Sequence, residues 1–180
     1  MKGRLVSEPE GYELLKGAGI AVPAHGVAHS PDEAAALAES IGFPVVLKVI
    51  SSHIVHKSDA GGVKVGISSP AGAREAYAAI LAGAAAYDSA AVVSGVLVVR
   101  QQAKGLEIIV GGRIDPTFGR IITVGMGGTL VELLRDVSIR VLPVQRDDIH
   151  AMISELQGSR LIDGYRNEPA RDRQDRKSVV

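Results

Sequence analysis

The sequence predicts an α+β chain of one domain or two small lobes, on three observations. Stretches that alternate apolar and polar residues, as strands do, are interleaved with stretches whose apolar residues recur at helical spacing. The first three helical stretches each follow a serine able to cap them, at Ser7, Ser30 and Ser69. The segment Phe43 to Ile67 reads as a strand, a polar loop closed by glycines, and a second strand.

In order along the chain, Ser7, Glu8, Pro9 and Glu10 form a capping box, and Tyr12, Leu14 and Leu15 give the helix behind it an apolar face that ends at Gly17 and Gly19. Residues 20–29 read as a strand bent at Pro23, and Ser30, Pro31, Asp32 and Glu33 start a second helix. His25 and His29 lie in this lead-in and are expected to be ordinary surface or half-buried histidines.

The next strand, Val45 to Ile50, is apolar except for Lys48, and a lysine on a largely buried strand requires an anion. Ser51, Ser52, His53, His56, Lys57, Ser58 and Asp59 follow, closing on Gly61 and Gly62. Those glycines permit conformations that turn peptide N–H groups outward, as a phosphate-cradling loop needs. No glycine, four residues, Gly-Lys-Ser/Thr string occurs, so this is not a P-loop. Val63, Val65 and Ile67 then form the return strand, with Lys64 on its other face.

An alanine-rich helix is expected from Ser69 and Pro70 to about Tyr87, packing closely through its small residues. A loop leads to a strong strand, Gly95 to Gln102. Leu106, Ile108 and Val110 alternate around Glu107, then a turn at 115–119 precedes a buried strand, residues 120–125. Gly125, Met126, Gly127 and Gly128 form a tight turn into a helix carrying Glu132 and Asp136; its start is either an anion site or a plain cap. Residues 137–144 are a last strand, and a helix starts near Asp147 and Asp148 with His150 on its exposed face.

Composition narrows the function. The 180 residues carry 20 basic and 20 acidic side chains, so no net charge points to nucleic acid. Two Phe, four Tyr and no Trp leave the core to Ala, Val, Leu and Ile and supply no stacking platform for single strands. No apolar run approaches the roughly 18 to 20 residues of a membrane span, and the first residues lack the apolar segment of a signal peptide, so no membrane partner and a cytoplasmic location are expected. The absence of cysteine removes disulfides, zinc thiolates and cysteine nucleophiles, leaving His, Ser, Lys and carboxylates for chemistry.

Residues 47–49 (LKV), 56–66 (HKSDAGGVKVG), 105–112 (GLEIIVGG), 115–119 (DPTFG), 125–137 (GMGGTLVELLRDV) and 140–144 (RVLPV) resemble the ATP-grasp half of ADP-forming acyl-CoA synthetases, the acetate–CoA ligase group related to the succinyl-CoA synthetase β subunit. The resemblance runs in order from about Glu8 to about Arg171. It implies an ATP-grasp fold, with two small α+β lobes around a nucleotide cleft: an N-terminal lobe over 1–98 with a phosphate loop at 51–62, a partial C-terminal lobe over 99–165, and a polar tail over 166–180. By the same resemblance Lys48, Lys57, Ser58, Gly61 and Gly62 contact the phosphates of ATP or ADP, and Arg100 and Gln101 the adenine. Relatives usually have glutamine or an acidic residue and methionine at 100–102, so the adenine contacts are expected to be altered. Glu107 matches a family nucleotide contact; its periodicity fits a solvent-facing strand residue equally well.

His56 occupies the position of the histidine that relatives phosphorylate while passing a phosphoryl group between a CoA-binding half and ADP. Imidazole is a competent nucleophile near neutral pH, whereas a serine hydroxyl without a base is not. The family uses magnesium, but its ligands lie in a later segment with no counterpart in this sequence, so the second lobe is expected to be incomplete and no metal residue is carried over. The partner implied is a CoA-binding subunit or domain. Two classes stay open: the nucleotide half of the synthetase, relaying phosphate through His56, or a non-catalytic nucleotide-binding or interaction module derived from it.

Overall fold

Serine caps set where the helices begin. In the computed structural model, which describes residues 6–54, 56–128, 135–166 and 170, the Ser7 N–H and Oγ both donate to Glu10 Oε2 at 2.9 Å and open α1, Glu8–Gly17. Ser30 Oγ accepts from Glu33 N–H at 3.2 Å at the start of α2, Pro31–Ile41, and Ser69 Oγ from Gly72 N–H at 3.1 Å at the start of α3, Pro70–Tyr87. Each cap satisfies an N–H that the helix itself cannot.

The described residues form two compact units, one up to Ala103 and one from Lys104. In the first, β1 (His25–Ala28), β2 (Val45–Ser51), β3 (Val63–Ile67) and β4 (Val93–Arg100) form a sheet in the order β1-β4-β2-β3, each neighbour antiparallel. β1 and β2 run parallel, joined through α2, with β4 between them.

The period of two on β2 sorts its side chains. Val45, Leu47 and Val49 are fully buried among Val96, Val98 and the alanines of α2 and α3. Val46 and Ile50 face the other way, toward Tyr12, Leu15, Leu97 and Val99. Lys48 shares the parity of Val46 and Ile50, which places it on the α1 side.

Three local expectations are corrected. Only His25–Ala28 of residues 20–29 is a strand. Leu14 is exposed, because α1 packs through Tyr12 and Leu15. Val65 is exposed as well: β3 pairs Leu47 with Lys64 but Val45 with Ile67, and the extra residue bulges the edge strand outward at Gly66, whose φ is 71°.

The second unit is a three-stranded antiparallel sheet in sequence order, β5 (Ile108–Asp115), β6 (Gly119–Met126) and β7 (Val137–Val141). The turn at 115–119 is held by Asp115 Oδ1, which accepts from the N–H groups of Thr117 at 2.9 Å and Phe118 at 3.1 Å. Val124 and Met126 pack on Met152 and Leu156, the former in α4, Arg146–Glu155. A short helix, α5, covers Ser159–Ile162. Leu106 is half-buried, whereas Ile108 and Val110 are exposed. His150 is half-buried rather than on an exposed face. Most of the helix expected after Gly128, including Glu132, and most of the polar tail lie outside the described residues. Among the described residues no helix is long and apolar enough to cross a membrane.

Candidate functional site

The anion that Lys48 requires comes, in this structure, from the chain itself. Lys48 Nζ donates to Glu8 Oε1 at 2.6 Å, and Lys57 Nζ to Glu8 Oε2 at 3.3 Å. The Tyr12 hydroxyl, one turn along α1, donates to Oε1 at 3.1 Å. Glu8, Lys48 and Lys57 side chains are 23%, 28% and 30% exposed, so the cluster is partly shielded and still reachable. Burial pushes the Glu8 carboxyl up, but the Lys48 hydrogen bond, the charges of Lys48 and Lys57 and the Tyr12 hydroxyl outweigh it and hold Glu8 below the usual carboxylate range. Burial, then the charge and hydrogen bond of Glu8, push the Tyr12 phenol well above its ordinary value.

The loop between β2 and β3 hangs from two apolar anchors. Ile54 and Ala60 are buried in the core of the first unit, and His56, Ser58 and Asp59 between them are exposed, with Lys57 half-buried. The expectation that the Gly61 and Gly62 amides face outward does not hold here. Gly61 N–H donates to Ser58 O at 3.1 Å, Gly62 N–H donates to Lys57 O at 2.8 Å, and Gly62 O accepts from Val49 N–H at 2.8 Å. Both glycines are needed for shape instead. Gly61 sits at φ 64°, and a Cβ on Gly62 would meet Val49 Cγ1 at 2.5 Å and Lys57 O at 2.9 Å. Gly83 of α3 fits under the loop in the same way, its hypothetical Cβ 2.7 Å from Ala60 O.

Arg100 and Gln101 do not join the lysine cluster. Arg100 Nη1 points at Ile41 O at 3.5 Å, the C-terminal end of α2, and Gln101 Oε1 accepts from Gly66 N–H at 2.7 Å, holding the bulge of β3. In the second unit Glu107 and the glycine turn meet: Gly127 N–H donates to Glu107 O at 2.7 Å, and a Cβ on Gly128 would lie 3.1 Å from Glu107 Oε2. Asp136 is buried, its two oxygens accepting from Gln157 N–H and Gly158 N–H at 2.8 Å each, which gives it a structural task. His25, half-buried, has Nδ1 2.9 Å from Pro23 O and its ring against Tyr12.

Two lysines at one partly shielded point, one of them following the exposed His56 in sequence, suit phosphate oxygens. Among the described residues no group of three or more His, Cys, Asp or Glu is placed to hold a metal ion. The signal sequence reading missed is Glu8. Its position inside a capping box explained it locally, and only the packing of α1 on the Lys48 side of the sheet reveals its second partner.

The ATP-grasp domain family matches the chain over residues 1–180. Over 167 residues it is 43% identical to the β subunit of acetate–CoA ligase [ADP-forming] I of Pyrococcus furiosus, covering 93% of this chain and 72% of that one. It belongs to the ATP-grasp family of ADP-forming acetate–CoA ligases. A longer relative is matched over a smaller share: acetate–CoA ligase [ADP-forming] I of Archaeoglobus fulgidus is 44% identical over 94% of this chain and 24% of its own length. Among solved structures, acetyl-coenzyme A synthetase 1 of Ca. Korarchaeum cryptofilum, in complex with coenzyme A and Ca-AMPCP, superposes with a TM-score of 0.89 at 40% identity, over 93% of this chain and 73% of that one. The same protein has been solved with Mg-AMPPCP and a phosphohistidine segment pointing towards the nucleotide binding site, with a TM-score of 0.77 at 37% identity over 93% of this chain and 71% of that one. The family thus has the nucleotide-binding, β-subunit type of ATP-grasp fold that the chain's motifs resemble.

Proposed function

We propose that this chain is the nucleotide-binding half of an ADP-forming acyl-CoA synthetase. It works with a CoA-binding subunit or domain, in the cytoplasm where ADP and coenzyme A are available. The overall reaction is acyl-CoA plus ADP and phosphate to acid, CoA and ATP, reversibly. The observation that carries the reading is the convergence of Lys48 and Lys57 on one anion, with the exposed His56 directly preceding Lys57 in the loop.

In this scheme the partner converts acyl-CoA and phosphate to acyl phosphate and CoA. A His56 ring nitrogen attacks the phosphorus of the acyl phosphate, the bond to the acyl oxygen breaks, and the free acid leaves. The terminal phosphate oxygen of ADP then attacks the phosphohistidine phosphorus, the N–P bond breaks, and the ring takes back from solvent the proton it gave up on phosphorylation, restoring His56 and forming ATP. Lys48 and Lys57 offset the charge on the nucleotide phosphates, with Ser58 a further donor within the loop. Gly61 and Gly62 contribute through the loop shape they allow. Arg100, the last residue of β4, and Gln101 after it are assigned to the adenine through their backbone, because their side chains are engaged elsewhere in this structure, and Glu107 is assigned to a nucleotide contact. Magnesium is expected with the nucleotide, and no residue of this chain is assigned to hold it.

The test is phosphoryl labelling with a CoA-binding partner and acyl phosphate. The label should be acid-labile and base-stable, be abolished in His56→Ala, and persist in His53→Ala. Loss of label in the His53 variant alone would reassign the relay, and no label with a partner proven active on an intact relative would make the chain a nucleotide-binding module.

A further inference from the structure

Glu8 divides its carboxylate between two cations, Oε1 to Lys48 and Oε2 to Lys57, as two oxygens of one phosphate would be divided. The three groups come from three elements: the first turn of α1, the middle of β2 and the loop after it. Two ammonium groups and one carboxylate leave the cluster one net positive charge. Glu8 is also tethered, so it competes for the lysines without the loss of translational freedom that a free ligand must overcome.

We propose that Glu8 is a specificity-determining residue of this phosphate site, a built-in monoanion that only a ligand with linked phosphates displaces. The inference rests on the reading of Lys48 and Lys57 as phosphate ligands. A single phosphate offers the two lysines little that the carboxylate does not already give them. A diphosphate brings charge on two phosphorus centres and reaches both ammonium groups at once, so it overcomes the tethered competitor. The consequence is selection of nucleoside diphosphates and triphosphates over monophosphates and over free orthophosphate at this position.

The experiment is calorimetric titration of the full chain with inorganic pyrophosphate, orthophosphate and ADP, in wild type, Glu8→Gln and Glu8→Asp, each checked for folding by circular dichroism. Wild type should bind pyrophosphate at least about tenfold more tightly than orthophosphate. Glu8→Gln keeps the side-chain shape but loses the charge; it should bind both anions more tightly, orthophosphate by the larger factor, so that the preference falls below about threefold. Glu8→Asp keeps the charge and should keep the preference. If Glu8→Gln leaves the preference unchanged or weakens binding while ADP still binds, this inference fails and the nucleotide reading stands. If Glu8→Asp behaves like Glu8→Gln, the effect is one of packing and the inference fails. If none of the three proteins binds ADP or pyrophosphate, the phosphate site itself is wrong.

Discussion

The Lys48 ammonium and the Glu8 carboxylate, 40 positions apart in sequence, meet at 2.6 Å on the side of the sheet that α1 covers. Because Glu8 is held below its ordinary range in the fold, its contribution to stability is present above the usual carboxylate range and is lost as pH falls through the lowered folded value. Urea unfolding at pH 7 should find Glu8→Gln less stable by on the order of 1 kcal/mol or less, since the cluster is partly open and screened. The gap between the two proteins should close in acid. A gap that widens as pH falls would contradict the assignment.

Gly83→Ala tests the seating of the phosphate loop. Alanine gains up to about 1 kcal/mol of helix propensity over glycine, but its Cβ would lie 2.7 Å from a backbone carbonyl, Ala60 O, which no rotamer change relieves. The steric term, about 1 to 3 kcal/mol, should win, giving a net loss of stability and faster proteolysis between Ile54 and Ala60. A stabilised protein would show that the loop gives way at little cost.

Gln101→Ala removes the acceptor for Gly66 N–H and exposes no new apolar surface. A loss of about 0.5 to 1.5 kcal/mol is expected, with faster amide exchange at Gly66. Nucleotide affinity should hold, because the side chain is committed to β3. A large drop in affinity with unchanged exchange would place Gln101 on the ligand instead.

Asp136→Asn should unsettle the second unit. The amide would turn a donor toward one of the two N–H groups, of Gln157 or Gly158, that the carboxylate now satisfies. In a buried position the unpaired donors cost about 1 to 3 kcal/mol. Denaturation followed by amide exchange should show the loss at residues 157–162 first.

What was legible in the sequence is what local chemistry decides. The serine caps, the Asp115 turn and the alternation of β2 each depend on residues within a few positions, and each stands in the structure as expected. The family resemblance reached further because it rests on several motifs in order, and it anticipated the fold, while Lys48 on its strand was legible from the apolar run around it. Contacts between elements were not legible: Glu8 serving Lys48, Gln101 serving Gly66, and Gly83 making room for Ala60 all join segments far apart. Spacing also misled: a bulge reset the alternation at Val65, and Leu14, expected on the apolar face of α1, is exposed because that helix packs through Tyr12 and Leu15.

The central position of β4 has a consequence for how the chain is made. Among the described residues β1 pairs only with β4, and β2 needs β4 along its whole length, yet residues 93–100 are the last of the four strands to be synthesised. A nascent chain that has passed α3 but not yet released Val93–Arg100 from the ribosome holds β1 without a partner and the 45–67 hairpin with one open side. Assembly of the first unit therefore waits on eight late residues, and until they appear the emerging chain carries unpaired strand edges.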